Sequence, residues 1–230
     1  SLARGWGVCK DKATMIVTML REAWIDSTIV IVRTGMRGDL PKDAPANMAA
    51  FDHAIAYVPS LDLYLDGTAD GAGSEELPTM DRRSVALQIN QGKPALVRLP
   101  DPGPEASPHT RKLDATVGSD GSADFTMDMT VSGADAVSWR MRYHPEGSRR
   151  DRATRDFTSI FGPFELGKGA NALVVGGTDD VEKPVAISLK GKASTFARVE
   201  GAKLSVPIGP QLNLTSSLAA LSSRTLPVVI

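Results

Sequence analysis

Cysteine is nearly missing from this chain: Cys9 is the single one among 230 residues. An internal disulfide is therefore excluded, and cysteine usage says nothing about an oxidising or reducing compartment. Charge excess is missing too. Lys and Arg total 26 against 27 Asp and Glu, so no global field draws the chain to nucleic acid or to an anionic membrane. The one basic cluster, Arg149-Arg150-Asp151-Arg152, is broken by an acid and reads as a solvated helix face. No apolar run approaches the roughly 20 residues needed to cross a bilayer. No signal peptide is visible and the chain starts Ser1-Leu2-Ala3-Arg4 without Met, which predicts a fragment cut from a longer protein. Aromatic residues make up only 5% of the chain and form no row of the kind that binds glycans.

What is present points to two domains of an α+β protein. Ala13, Ile16, Val17, Leu20, Ala23 and Trp24 recur at helical spacing, which predicts a helix over residues 9–24. The β-branched run Thr28 to Arg33 predicts a buried strand. A long loop follows, holding Gly35, Gly38, Pro41 and Pro45. His53 to Val58 and Leu61 to Leu65, separated by Pro59-Ser60 and ended by Asp66-Gly67, predict an antiparallel hairpin. Residues 85–89 and 95–99 add two strands. Residues 1–99 therefore predict a helix packed on an antiparallel sheet.

The stretch 100–109, with four prolines, predicts a semi-rigid linker. Beyond it, residues 110–230 predict a β-rich accessory domain with one helix. Phe125, Met127, Met129 and Val131 alternate with Asp124, Thr126, Asp128 and Thr130, the signature of a half-buried strand. Residues 148–161 predict the helix. Residues 134–143 fit either helix or strand, because Ala134, Val137 and Met141 match one period and Val137, Trp139 and Met141 the other.

Three residues carry chemistry. Cys9 opens the predicted helix, where the helix dipole and unpaired N–H groups favour thiolate. His53 starts one strand of the hairpin and Asp66 ends the other, so both lie near its open end. Each has a duller role available: a small buried hydrophobe, a structural histidine and a turn former. Together they are the parts of an acyl-transfer triad, in which thiolate attacks, imidazole moves the proton and carboxylate orients the ring. His109 and His144, beside prolines, read as exposed and incidental. Asp52 should point to the opposite strand face from His53. A zinc site from Cys9, His53 and Asp66 lacks paired-cysteine or His-x-x-His spacing, so neither metal nor cofactor is predicted.

The runs Gly7-Val8-Cys9-Lys10-Asp11-Lys12-Ala13, Phe51-Asp52-His53-Ala54-Ile55-Ala56-Tyr57-Val58 and Leu63-Tyr64-Leu65-Asp66-Gly67-Thr68 resemble the Cys, His and Asp motifs of bacterial transglutaminase-like proteins. The resemblance is closest to large multidomain members whose papain-like core lies between β-rich domains, and it covers residues 3–100. Residues 110–230 resemble the following β-rich domain more weakly, through Gly133-Ala134-Asp135-Ala136 with Arg140 and through Arg224-Thr225-Leu226-Pro227. Membership would make Cys9 nucleophile, His53 base and acid, and Asp66 the orienting group, acting on peptide or protein substrates in a bacterial periplasm or envelope. It would also place further core helices before Ser1, with the rest of a parent chain packed on the core. Gly67 stands where proline is frequent in the family, and Trp24 where a small residue is usual.

Two other readings compete with the enzyme. The chain could be a non-catalytic scaffold that retains the fold, or residues 110–230 could be a protein- or glycan-binding module with the core as support.

Overall fold

A computed structural model describes residues 5–90 and 92–206. The Arg224-Thr225-Leu226-Pro227 run and the Ser1-Leu2-Ala3-Arg4 start lie outside the described residues. The fold is α+β, with antiparallel sheets and three α-helices among the described residues. Two compact units emerge. The first comprises the chain up to Arg111 with Met129–Glu146 and Val175–Ile187; the second comprises Lys112–Asp128, Gly147–Val174 and the chain from Ser188. The first unit thus continues past the proline-rich stretch at 100–109.

The first unit holds helix α1 (Cys9–Glu22) and strands β1 (Thr28–Arg33), β2 (His53–Val58), β3 (Leu63–Leu65), β4 (Val85–Asn90) and β5 (Lys93–Arg98). They form one five-stranded sheet of order β3-β2-β1-β4-β5, antiparallel throughout. The β2–β3 hairpin pairs Ala56 with Leu65 and Val58 with Leu63, which leaves His53 and Asp66 at its open end. Every residue of β2 is buried, so both faces of that strand are covered. Val30, Val32, Ile55, Tyr57, Tyr64, Leu77, Ala86 and Leu99 make the apolar cluster.

Helix α1 lies against β1 and β2 and buries Ala13 and Val17. Its N-terminus is held by the Val8 N–H, which donates to the Asp11 carboxylate at 3.0 Å. That carboxylate in the first turn also suits the helix dipole. The helix ends two residues sooner than the apolar spacing predicts. Trp24 has φ 61° and is 97% exposed. Ile25 N–H bonds the Leu20 carbonyl and Trp24 N–H that of Arg21, a Schellman ending with tryptophan in the left-handed position usually taken by glycine.

The ambiguous stretch is a helix, α2 (Gly133–Tyr143), in the first unit. Its buried residues are Ala136, Arg140 and Tyr143, whereas Met141 is half exposed. The second unit contains helix α3 (Arg149–Phe161), strand β8 (Phe164–Leu166) and the hairpin of β11 (Arg198–Glu200) with β12 (Lys203–Ser205). It also takes parts of β6 (His109–Val117), β7 (Ala123–Val131) and β10 (Val185–Ala193), in the order β6-β7-β10-β8. A short strand β9 (Leu173–Gly176) pairs with β10. Its core is aromatic: Phe125 stacks on Phe161 at 4.1 Å, and Phe164 meets both rings edge-on at 5.6 Å.

Candidate active site

His53, first residue of β2, is 7% exposed, and its Nε2 lies 3.1 Å from Asp66 Oδ2. The Cys9 thiol is a further neighbour of the ring and adds to its proton affinity. With Nε2 engaged by the acid, Nδ1 is the ring nitrogen left for another partner. The chain therefore brings its predicted thiol, imidazole and carboxylate together within the first unit. Cys9 is half-buried at the first position of α1, where backbone N–H groups are unpaired by the helix itself.

Asp66 leads a double life. It is a turn former, since Oδ1 accepts from Thr68 N–H and Thr68 hydroxyl, both at 2.8 Å. It is also the ring's partner. Burial pushes its carboxyl up, but the His53 bond, the Thr68 bonds and the positive ring outweigh burial and hold it below the usual carboxylate range. Thr68 fixes the acid, and it was visible in the sequence only as part of the Asp-Gly-Thr turn.

For His53 the Asp66 hydrogen bond dominates. Burial pulls the ring the other way, but the charge of Asp66, the nearby Cys9 thiol and the charge of Asp81 add to the Asp66 bond, and the imidazole is raised to about 9. At neutral pH the ring keeps its proton. That is the state in which it can pair with a thiolate and later protonate a leaving group.

Asp81 is the group sequence reasoning missed. It is 0% exposed, its Oδ2 lies 3.9 Å from His53 Nε2, and neither carboxylate oxygen meets a hydrogen-bond donor. It sits in the turn before β4, with its N–H on the Pro78 carbonyl and its own carbonyl accepting from Ser84 N–H. Gly35 N–H and the Ser84 hydroxyl both bond the Met80 carbonyl, fixing that turn at the end of β1. Ser84 and Gly35 are turn residues of ordinary composition, so no local motif marks Asp81.

His53, Asp66 and Asp81 offer atoms within 4.8 Å of one another. Distance alone would suit a divalent cation, but Asp66 already takes His53 Nε2 and Thr68. What is free is one acceptor position on Asp66, because the Thr68 hydroxyl can donate to one oxygen at a time.

Asp52 turns away from the ring. Its carboxylate accepts from Thr34 N–H at 2.9 Å and the Thr34 hydroxyl at 2.8 Å, with Arg37 at 3.9 Å. His109 and His144 are exposed and face Asp135 and Asp179 at 3.0 and 3.2 Å. Arg140, flagged in the sequence, lies buried in the first unit and holds the loop that follows Asp66. Its guanidinium donates to the carbonyls of Gly71, Gly177, Val181 and Lys183 and faces Glu76 at 3.6 Å.

A cavity of about 300 Å³ borders Asp66, lined by Ala69, Pro78, Met80, Val137 and Met141. A wider hollow of about 670 Å³ belongs wholly to the second unit; its lining includes Asp114, Glu165, Lys190 and Lys192 but no cysteine or histidine. Among the described residues no helix is long and apolar enough to cross a membrane. Compared with protein-family models, curated proteins and solved structures, the chain matches none.

Proposed function

We propose that the first unit is a transglutaminase-like cysteine acyl-transfer site acting on peptide or protein amides. The observation that carries this reading is the cluster itself: one imidazole bonded to Asp66 at 3.1 Å and close enough to Cys9 to feel its thiol, with the sulfur at the start of α1.

The chemistry follows from these groups. The Cys9 thiolate adds to an amide carbonyl carbon, forming a C–S bond and an oxyanion, and the Cys9 backbone N–H offers one donor to that oxygen. Protonated His53 gives its proton to the departing nitrogen as the C–N bond breaks, leaving a thioester. Neutral His53 then takes a proton from the acceptor as it adds to the thioester carbon. Water as acceptor gives hydrolysis, and an amine gives a new amide; either expels Cys9 as thiolate. Asp66 keeps Nε2 engaged throughout, so Nδ1 faces the sulfur.

An activated ester tests the nucleophile without knowledge of the substrate. Incubation with p-nitrophenyl acetate, followed by intact-mass and peptide mapping, should find one acetyl group on Cys9. Cys9→Ala should abolish the adduct and His53→Ala should slow its formation at least tenfold. Acetylation spread over lysines, with Cys9 untouched, would overturn the proposal and favour the non-catalytic scaffold.

A further inference from the structure

We propose that Asp81 is a positioning residue of this site, a second carboxyl that shares its proton with Asp66 and thereby sets both the orientation and the charge of His53. The inference rests on the acyl-transfer reading and deepens it.

The geometry leaves few alternatives. A carboxylate with 0% exposure and no donor to either oxygen is among the costliest groups a fold can carry. Its neighbours are His53 at 3.9 Å and the Asp66 carboxylate, itself 1% exposed. Two ionised carboxyls facing each other would both be acceptors. With one proton between them Asp81 becomes a donor, and Asp66 has one acceptor position left to receive it. The charged groups facing Asp81 are His53, Asp66 and, more distantly, Asp52, whose own charge is met by Arg37. Burial is the main force pushing the Asp81 carboxyl up; the positive ring of His53 opposes it, while Asp66 and Asp52 add to it, and the group settles at about 7.

Two states follow. Below neutrality Asp81 O–H donates to Asp66 and fixes the acid that orients the ring. Above it the proton leaves to solvent, and a second negative charge beside His53 holds the imidazolium to higher pH. The pair titrates as a unit, so its two steps belong to Asp66 and Asp81 together.

Ring-proton NMR of the full 230-residue chain reads this directly. The chain has three histidines, His53, His109 and His144, and the His53 signal is identified by its loss in His53→Gln. In Asp81→Asn, which keeps a donor but cannot ionise, the His53 midpoint should fall by about one pH unit. Superimposed titration curves would overturn the proposal. As a second readout, iodoacetamide should label Cys9 about fivefold faster in Asp81→Asn than in Asp81→Leu at acidic pH, because the Asn amide restores the bond to Asp66. Equal rates would also overturn it. The two failures are separable. If His53→Ala slows labelling while Asp81→Asn leaves the ring unmoved, Asp81 is structural and the triad stands. If His53→Ala changes nothing, both fall.

Discussion

A Cβ built on Gly67 would lie 2.8 Å from Ile16 Cδ1 and 3.3 Å from Lys12 Cβ. Gly67 follows Asp66, and Ile16 and Lys12 lie on the helix that begins with Cys9. The glycine is there for close approach: α1 packs directly on the Asp66 turn. Gly67→Ala should be tolerated, since Ile16 Cδ1 is the free end of a flexible side chain. Gly67→Val should cost about 2 kcal/mol in denaturant unfolding, as overpacking does, and slow Cys9 labelling by pushing the helix away.

Arg140 replaces the water that four carbonyls would otherwise need. Arg140→Met removes the donors while keeping the aliphatic length, so it should destabilise the chain by roughly 3 kcal/mol or more in urea unfolding. Arg140→Lys should recover little, because an ammonium cannot reach carbonyls spread around a planar guanidinium. Equal midpoints for Arg140→Met and the parent chain would contradict the clamp.

Trp24 stores strain without burying area. Its left-handed φ suits glycine, and at 97% exposure it gives up no packing when removed. Trp24→Gly should raise stability by about 1 kcal/mol, visible as a higher melting temperature.

Asp81 makes stability depend on pH with a definite sign. The unfolded chain loses this proton near the ordinary aspartate value of about 3.8, whereas the folded chain holds it to about 7. A raised carboxyl contributes stability fully present below the unfolded value, and that contribution is lost as pH climbs to the folded value. The melting-temperature advantage of Asp81→Asn over the parent chain should therefore grow between about pH 4 and 7 and then level off. A constant gap across that range would contradict a buried, raised acid.

The strands of the first sheet were legible because their apolar runs are short and bounded by turn residues: Thr28–Arg33 and His53–Val58 appear with the ends their sequences predict. Helix α2 was not, because its buried stripe contains Arg140. Hydropathy marks Ala134, Val137 and Met141 as the inward side, while Ala136, Arg140 and Tyr143 are buried instead. A buried cation answered by carbonyls has no periodic signature. Trp24 misled for the opposite reason, since an apolar residue at helical spacing proved to be the exposed helix stop. At the site, Cys9, His53 and Asp66 stood out through residue type and element ends. Asp81 did not: it comes from a turn between strands, fifteen residues after Asp66, and only tertiary folding gives it a partner.

The most direct measurement is the rate of Cys9 labelling by iodoacetamide as a function of pH, in the parent chain and in His53→Ala. If thiol and imidazole work as one unit, the parent chain is labelled rapidly at about pH 6.5 and the variant is slower by at least tenfold there, converging only at alkaline pH. Two superimposable profiles would mean that Cys9 and His53 are neighbours without shared chemistry, and the acyl-transfer assignment would fall.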